Sequence, residues 1–161
     1  MIIDAHTHLI DPPYSNEQLS FKIADGQVMK PNTLRDQVTP TNILQDMDKH
    51  HIDKAIVIAS DALSNENLSK IVKTHPKRLT GFAYLNPLET DSPQKLEDAI
   101  NRLGLVGLKL VPDFHDFSMD DPRIIPLIEK AVDLKVTSKY HLYNRIKSYQ
   151  GLLVKVSNQS V

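Results

Sequence analysis

Four short apolar runs recur along the chain with stretches of helical period between them, and that alternation restricts the fold more than any other feature. Alternating strand and helix signals build βα units around a parallel sheet. The clearest run is Lys54–Ala59, apolar after its first residue on both faces, as required when helices cover both sides of such a sheet. Met1–Leu9, Leu79–Leu85 and Val106–Val111 repeat the pattern, and a weaker fifth run spans Val136–His141. Helix starts are punctuated by Thr39-Pro40, Ser92-Pro93 and Asp121-Pro122, each an N-cap side chain followed by proline at the first helical position. Pro76 and Gly104 mark helix stops. Leu68, Ile71, Val72 and His75 form one helical stripe, and Leu96, Ala99, Ile100 and Leu103 the next. Ile125, Ile128 and Val132, with Leu127, Ala131 and Leu134, form a third, in which Pro126 predicts an irregular first turn. The count is four and a half βα units in an α/β chain.

Composition narrows the function. The 161 residues balance 19 Lys+Arg against 20 Asp+Glu, with 40% hydrophobic side chains, which fits one globular domain. A net charge of -1 gives no basic field for nucleic acid and no charged block for a membrane surface, so neither is an expected partner. The absence of cysteine excludes disulfides, thiolate nucleophiles and Cys-based zinc sites. The N-terminus has no basic leader, and no window approaches the roughly 18 apolar residues of a membrane span, so a cytoplasmic location is expected. The segment Ile10–Thr39 is long for a connection and reads as a lid, in which Tyr14, Phe21, Lys30 and Arg35 are candidates for recognising an aromatic or acidic substrate; a plain surface loop is the alternative.

The sharpest chemistry is in Ile2-Ile3-Asp4-Ala5-His6-Thr7-His8-Leu9. Strand alternation puts His6 and His8 on one face, at the carboxyl end where parallel α/β folds place their sites, so two imidazoles can grip one metal ion. Asp4 falls on the same face under strict alternation and is expected to orient a ligand ring. With seven histidines in the chain, the bare triplet is a weak signal. Its position at the end of an opening apolar strand, beside a long polar loop, favours a metal site over hydrogen-bonded surface histidines.

The run Ile3-Asp4-Ala5-His6-Thr7-His8 resembles the first metal-binding strand of the amidohydrolase superfamily. Later segments resemble its amidohydrolase-related group, which includes enzymes like aminocarboxymuconate-semialdehyde decarboxylase: His75–Pro87, Gly107–Pro112 and Asp120–Ala131, in that order. PHP-type phosphoesterases and TatD-like nucleases open on the same Asp-x-His-x-His, but their later acidic segments are not evident here. The resemblance implies a (β/α)8 TIM barrel acting on a small molecule through a metal-activated water, as a hydrolase or a decarboxylase. It implies metal ligands at the first-strand histidine pair, at a histidine ending strand five and at an aspartate ending strand eight. A divalent metal is therefore the expected cofactor, zinc first.

The resemblance covers residues 1–134, read as the N-terminal half of the barrel, with 135–161 as an atypical tail and the last aspartate expected beyond residue 161. Alignment of Glu129–Leu134 with the family's helix-to-strand passage brings His141 onto the fifth-strand ligand, although Lys135–Tyr140 is polar for a central strand. Where the family reads Val-Pro-Val, this chain reads Val136-Thr137-Ser138, and one adenine inserted before CCA GTx yields Thr-Ser. The tail after Val136 is therefore expected to be out of frame. Such a half-barrel would expose two sheet edges, through which a homo-oligomer is expected; a non-catalytic α/β module is the alternative to an enzyme.

Other candidates follow from position. His115 and Asp113 lie just after the fourth strand and are expected to touch substrate, the alternative being that they cap the next helix. The family usually has histidine where this chain has Val111. Lys109 invites comparison with the carbamylated lysine of binuclear amidohydrolases, with a structural ion pair as the plainer reading. His50, His51 and His75 fall where helices end, which suits capping.

Overall fold

A computed structural model describes residues 1–10, 21–22, 28–29, 39–61 and 63–140. His141, Tyr14, Lys30, Arg35 and the tail from 141 to 161 lie outside the described residues, and Phe21 is described by its backbone alone. In chain order the elements are β1 (Ile3–His8), β2 (Phe21–Lys22), β3 (Val28–Met29), α1 (Pro40–Lys49), β4 (Lys54–Ile58), α2 (Asn65–Thr74) and β5 (Leu79–Tyr84). Then come α3 (Ser92–Asn101), β6 (Gly107–Leu110), α4 (Pro112–His115), a 3-10 turn (Pro122–Ile124), α5 (Ile125–Asp133) and β7 (Thr137–Tyr140).

Five strands form one sheet in the order β1-β4-β5-β6-β7, and every pair is parallel. Each strand lies beside the one before it in the sheet, with a helix in each crossover: these are the parallel βα units expected from the alternation, in the partial (β/α)8 barrel that the family resemblance implied. One feature was not legible. The first connection carries a two-residue antiparallel ribbon, β2 with β3, where no regular structure was expected. The weak fifth strand expected over Val136–His141 is present as β7, although its residues looked too polar for a central strand. Among the described residues β7 is an edge of the sheet, so its side chains need not be apolar on both faces, and Thr137 is exposed there.

Local chemistry sets the helix ends. Thr39 Oγ1 accepts from the Asn42 amide at 3.2 Å and starts α1, and Ser64 Oγ does the same for α2 through Asn67 at 3.2 Å. The third start differs from expectation. Ser92 is the first residue of α3 rather than its cap; Asp91 precedes it without a side-chain cap, and Ser92 is buried with its hydroxyl turned to the Pro87 carbonyl. Asp121 accepts from the Arg123 amide at 2.9 Å, and the irregular turn expected near Pro126 is the 3-10 turn that leads into α5. Gly104 ends α3 at φ 76°, the left-handed stop expected of it.

The helices cover one face of the sheet. Ala55, Val57, Leu79 and Ala83 pack with Leu68, Val72 and Leu103, and Leu108 and Leu110 pack with Leu96, Leu127 and Ala131. The concave face carries the complementary set. His8, Ile58, Phe82, Gly107 and Thr137 lie level with one another across the sheet. A Cβ on Gly107 would stand 2.5 Å from the Phe82 ring, so only glycine lets that ring lie across β6.

Candidate metal centre and its surroundings

The histidine pair is built by a break in regularity. Asp4 is level with Ala55 and Thr7 with Val57, so β1 advances three residues while β4 advances two. This is a β-bulge, which re-aims side chains next to functional sites. Its extra residue reverses the parity between Asp4 and His8: Ala55 belongs to the helix-side core, whereas Ile58, level with His8, has the opposite parity. Asp4 therefore does not share the histidines' face as alternation implied. Its Oδ1 instead accepts from the His6 backbone amide at 2.9 Å and pins the bulge.

Beyond the bulge the two rings converge. His6 Nε2 and His8 Nε2 are 3.0 Å apart, with ring centroids at 4.9 Å and planes inclined by 61°. Two nitrogens each about 2.0–2.1 Å from one ion span a separation of this size, so the pair fits a shared divalent metal. His6 is half-buried and His8 exposed, which leaves the pair reachable from the concave side. Among the described residues no cluster of three metal-ligating side chains forms. The described site thus supplies two ligands, and His141, the third candidate, lies outside it.

The ends of the next strands complete this face. Asp113 and His115 do not lie in a loop; they form the short helix α4 directly after β6, with Pro112 in its first turn. Asp113 is buried and His115 half-buried. His115 Nε2 lies 3.3 Å from the hydroxyl of Tyr84, the last residue of β5, with the ring centroids 5.3 Å apart. Tyr84 is itself fixed: the Asn65 side-chain amide donates to its carbonyl and accepts from its amide, both at 3.0 Å. Burial raises the Tyr84 pKa, and the charge of Asp61, in the turn after β4, adds to the shift. Burial lowers the His115 pKa and outweighs the opposing charges of Asp61 and Glu89. The phenol thus stays protonated and the imidazole neutral near pH 7.

Tyr84 and Asn65 were missed from sequence. The available signal for Tyr84 was its place at the carboxyl end of a strand, two residues from Phe82 and so on the same face as His8. Lys109 is 2% exposed and level with Tyr84 on that face. His50 and His75 are helix C-caps, as expected, and His50 Nδ1 sits 2.9 Å from the Asp46 carbonyl; His51 follows in the left-handed region at φ 56°.

Comparison with known proteins gives the family and the fold. A family model described as Amidohydrolase matches residues 3–150. The 2-amino-3-carboxymuconate-6-semialdehyde decarboxylase of Dictyostelium discoideum is 28% identical over 83 residues, which cover 51% of this chain and 23% of that protein. Among solved structures, the 5-carboxyvanillate decarboxylase of Novosphingobium aromaticivorans with bound manganese superposes with a TM-score of 0.68 at 14% identity, over 88% of this chain and 50% of that one. A probable 2-pyrone-4,6-dicarboxylic acid hydrolase of Acinetobacter baumannii with citric acid bound gives 0.62 at 18% identity, over 87% and 49%. The chain thus spans about half the length of these solved structures and a quarter of the curated relative. No helix among the described residues is long and apolar enough to cross a membrane.

Proposed function

This chain belongs to the amidohydrolase family, and from that premise we propose that it supplies the metal-holding part of an active site for a small-molecule substrate. The reaction we assign first is hydrolysis by a metal-activated water. The observation that carries the reading is the convergence of His6 Nε2 and His8 Nε2 to 3.0 Å at the carboxyl end of β1. His6 and His8 would hold the ion, and His141 would be the third ligand; the family match through residue 150 supports including that position. Zinc suits a set of imidazoles, and the manganese of the structural neighbour supports a divalent ion in general. Such an ion, when bound, acidifies a water and polarises a substrate oxygen.

The chain's own residues do the rest. Asp4 fixes the His6 backbone, so the first ligand is set before any ion arrives. Ile58 and Phe82, buried and level with His8, give the concave face an apolar floor that limits water beneath the pair. His115 and Asp113, at the mouth of the next strand, are positioned to contact substrate. Among the described residues β1 and β7 are the edges of the sheet, and such edges suit pairing with a second copy.

Decarboxylation is the second reading, favoured by the similarity to the Dictyostelium decarboxylase over 83 residues. Metal analysis of the gently purified chain tests both. Near-stoichiometric zinc, manganese or iron that disappears in His6→Ala/His8→Ala is expected, and release of carbon dioxide from aromatic carboxylates would then separate a lyase from a hydrolase. A wild-type chain that takes up no divalent metal overturns the catalytic reading and leaves a structural α/β module.

A further inference from the structure

His115 Nδ1 is shielded from solvent and has no hydrogen-bond partner among the described residues, whereas Nε2 lies 3.3 Å from the Tyr84 hydroxyl. That asymmetry decides where the ring's one proton resides. A buried N–H without an acceptor is among the least tolerated polar groups, and a bare ring nitrogen is tolerated better. The proton therefore belongs on Nε2, and Nε2–H donates to the Tyr84 oxygen. Once that oxygen accepts, its own hydrogen must point to a third atom.

We propose that Tyr84 is a substrate-binding residue whose hydroxyl donates to an oxygen of a small carboxylate ligand, and that His115 is the positioning residue that turns the hydroxyl toward it. The proposal rests on the reading of this face as a small-molecule site. Four observations place the donor there. Tyr84 shares the concave face with His8, two residues beyond Phe82 on β5. It is held at both backbone groups by Asn65, so its ring projects from a fixed point. His115 is carried on α4, whose end is fixed by Asp116 at φ 50° and by buried Phe117. Lys109 lies level with Tyr84 across the β5–β6 ladder on the same face, and a second N–H donor on the adjoining strand suits an oxyanion rather than a cation. Burial and the Asp61 charge both oppose loss of the phenolic proton, so Tyr84 remains a donor at neutral pH.

The experiment has two arms on the full-length chain. In the first, long-range ¹H–¹⁵N correlation spectra of the imidazole rings, assigned with His115→Gln, report the His115 tautomer. A protonated Nε2 and a pyridine-type Nδ1 are expected; the reverse pattern overturns the arrangement. In the second, benzoate is titrated into wild type, Tyr84→Phe, His115→Leu and His115→Gln, with metal content measured in parallel. Loss of one charge-assisted hydrogen bond is expected to weaken benzoate by about tenfold in Tyr84→Phe. His115→Leu should weaken it comparably, and His115→Gln, whose amide can still donate to the phenol, should recover most of the loss. Equal benzoate affinity in wild type and Tyr84→Phe, or no benzoate binding by wild type, overturns the proposal. Metal content should be the same in Tyr84→Phe as in wild type. A metal-holding chain indifferent to the Tyr84 hydroxyl therefore refutes this inference alone, and a metal-free chain with Tyr84-dependent binding refutes the metal reading alone.

Discussion

The side-chain amide of Asn65, the first residue of α2, substitutes for a neighbouring strand at Tyr84: one amide donates to the Tyr84 carbonyl and accepts from its N–H, both at 3.0 Å. The sheet ladder between β4 and β5 ends at Ile58 and Phe82, so these two backbone groups have left their strand partner. Asn65 thus satisfies the end of β5 and ties it to the next helix.

Asn65→Ala is expected to lower stability by about 1–3 kcal/mol, because both Tyr84 backbone groups are half-buried and lose their partner together. Urea unfolding measures it. Asn65→Asp keeps the acceptor for the Tyr84 amide but loses the donor, so its midpoint should fall between wild type and Asn65→Ala.

Asp4 acts through the backbone of His6 rather than through a ring, and its variants should show this. Asp4→Asn retains an oxygen acceptor for the His6 amide and is expected to keep near-wild-type stability and metal uptake. Asp4→Ala should cost about 1 kcal/mol and weaken metal binding by about tenfold, as the bulge relaxes. Equal metal affinity in both variants, from competition with a chromogenic chelator, would remove Asp4 from the account.

Gly107 is fixed by the ring it faces. A methyl there meets the Phe82 ring at 2.5 Å, and Phe82 is 5% exposed, so the ring has little room to retreat. Gly107→Ala is expected to destabilise by about 1–3 kcal/mol through overpacking. Adding Phe82→Leu should recover part of that loss, a sign of coupling that thermal unfolding of the four-member mutant cycle would read.

Acid should weaken the fold through His115. Burial holds its folded pKa below the ordinary 6.5, so the unfolded chain takes up a proton that the folded chain resists. The stability due to this neutral imidazole is complete above pH 6.5 and is lost as pH falls from there toward the folded value. Unfolding midpoints measured from pH 7.5 down to 5 should decline for wild type and decline less for His115→Gln.

The repeating features were legible and the single exceptions were not. Runs such as Lys54–Ala59 and the Thr39-Pro40 start follow from periodicity and capping, which act locally and leave a pattern in the sequence. The histidine pair was legible because its two members are neighbours on one strand. The bulge was not, since Asp4-Ala5-His6 reads like any alternating strand and the extra residue shows only against the register of β4. The Asn65–Tyr84 and Tyr84–His115 contacts join residues 19 and 31 positions apart, and no short-range signal encodes either. Ser92 looked like a cap because Ser-Pro starts many helices; burial against the Pro87 carbonyl claimed it instead.

The two described candidate ligands, His6 and His8, ride on one strand, and among the described residues that strand has one hydrogen-bonded neighbour, β4. The hold of this pair on an ion therefore depends on a single described ladder, and fraying of β1 is expected to loosen it. Hydrogen-exchange protection of the β1 amides and the residence time of an ion on the pair are expected to fall together. Mutations that firm the β1–β4 seam, far from either imidazole, would slow the ion's departure without touching its coordination.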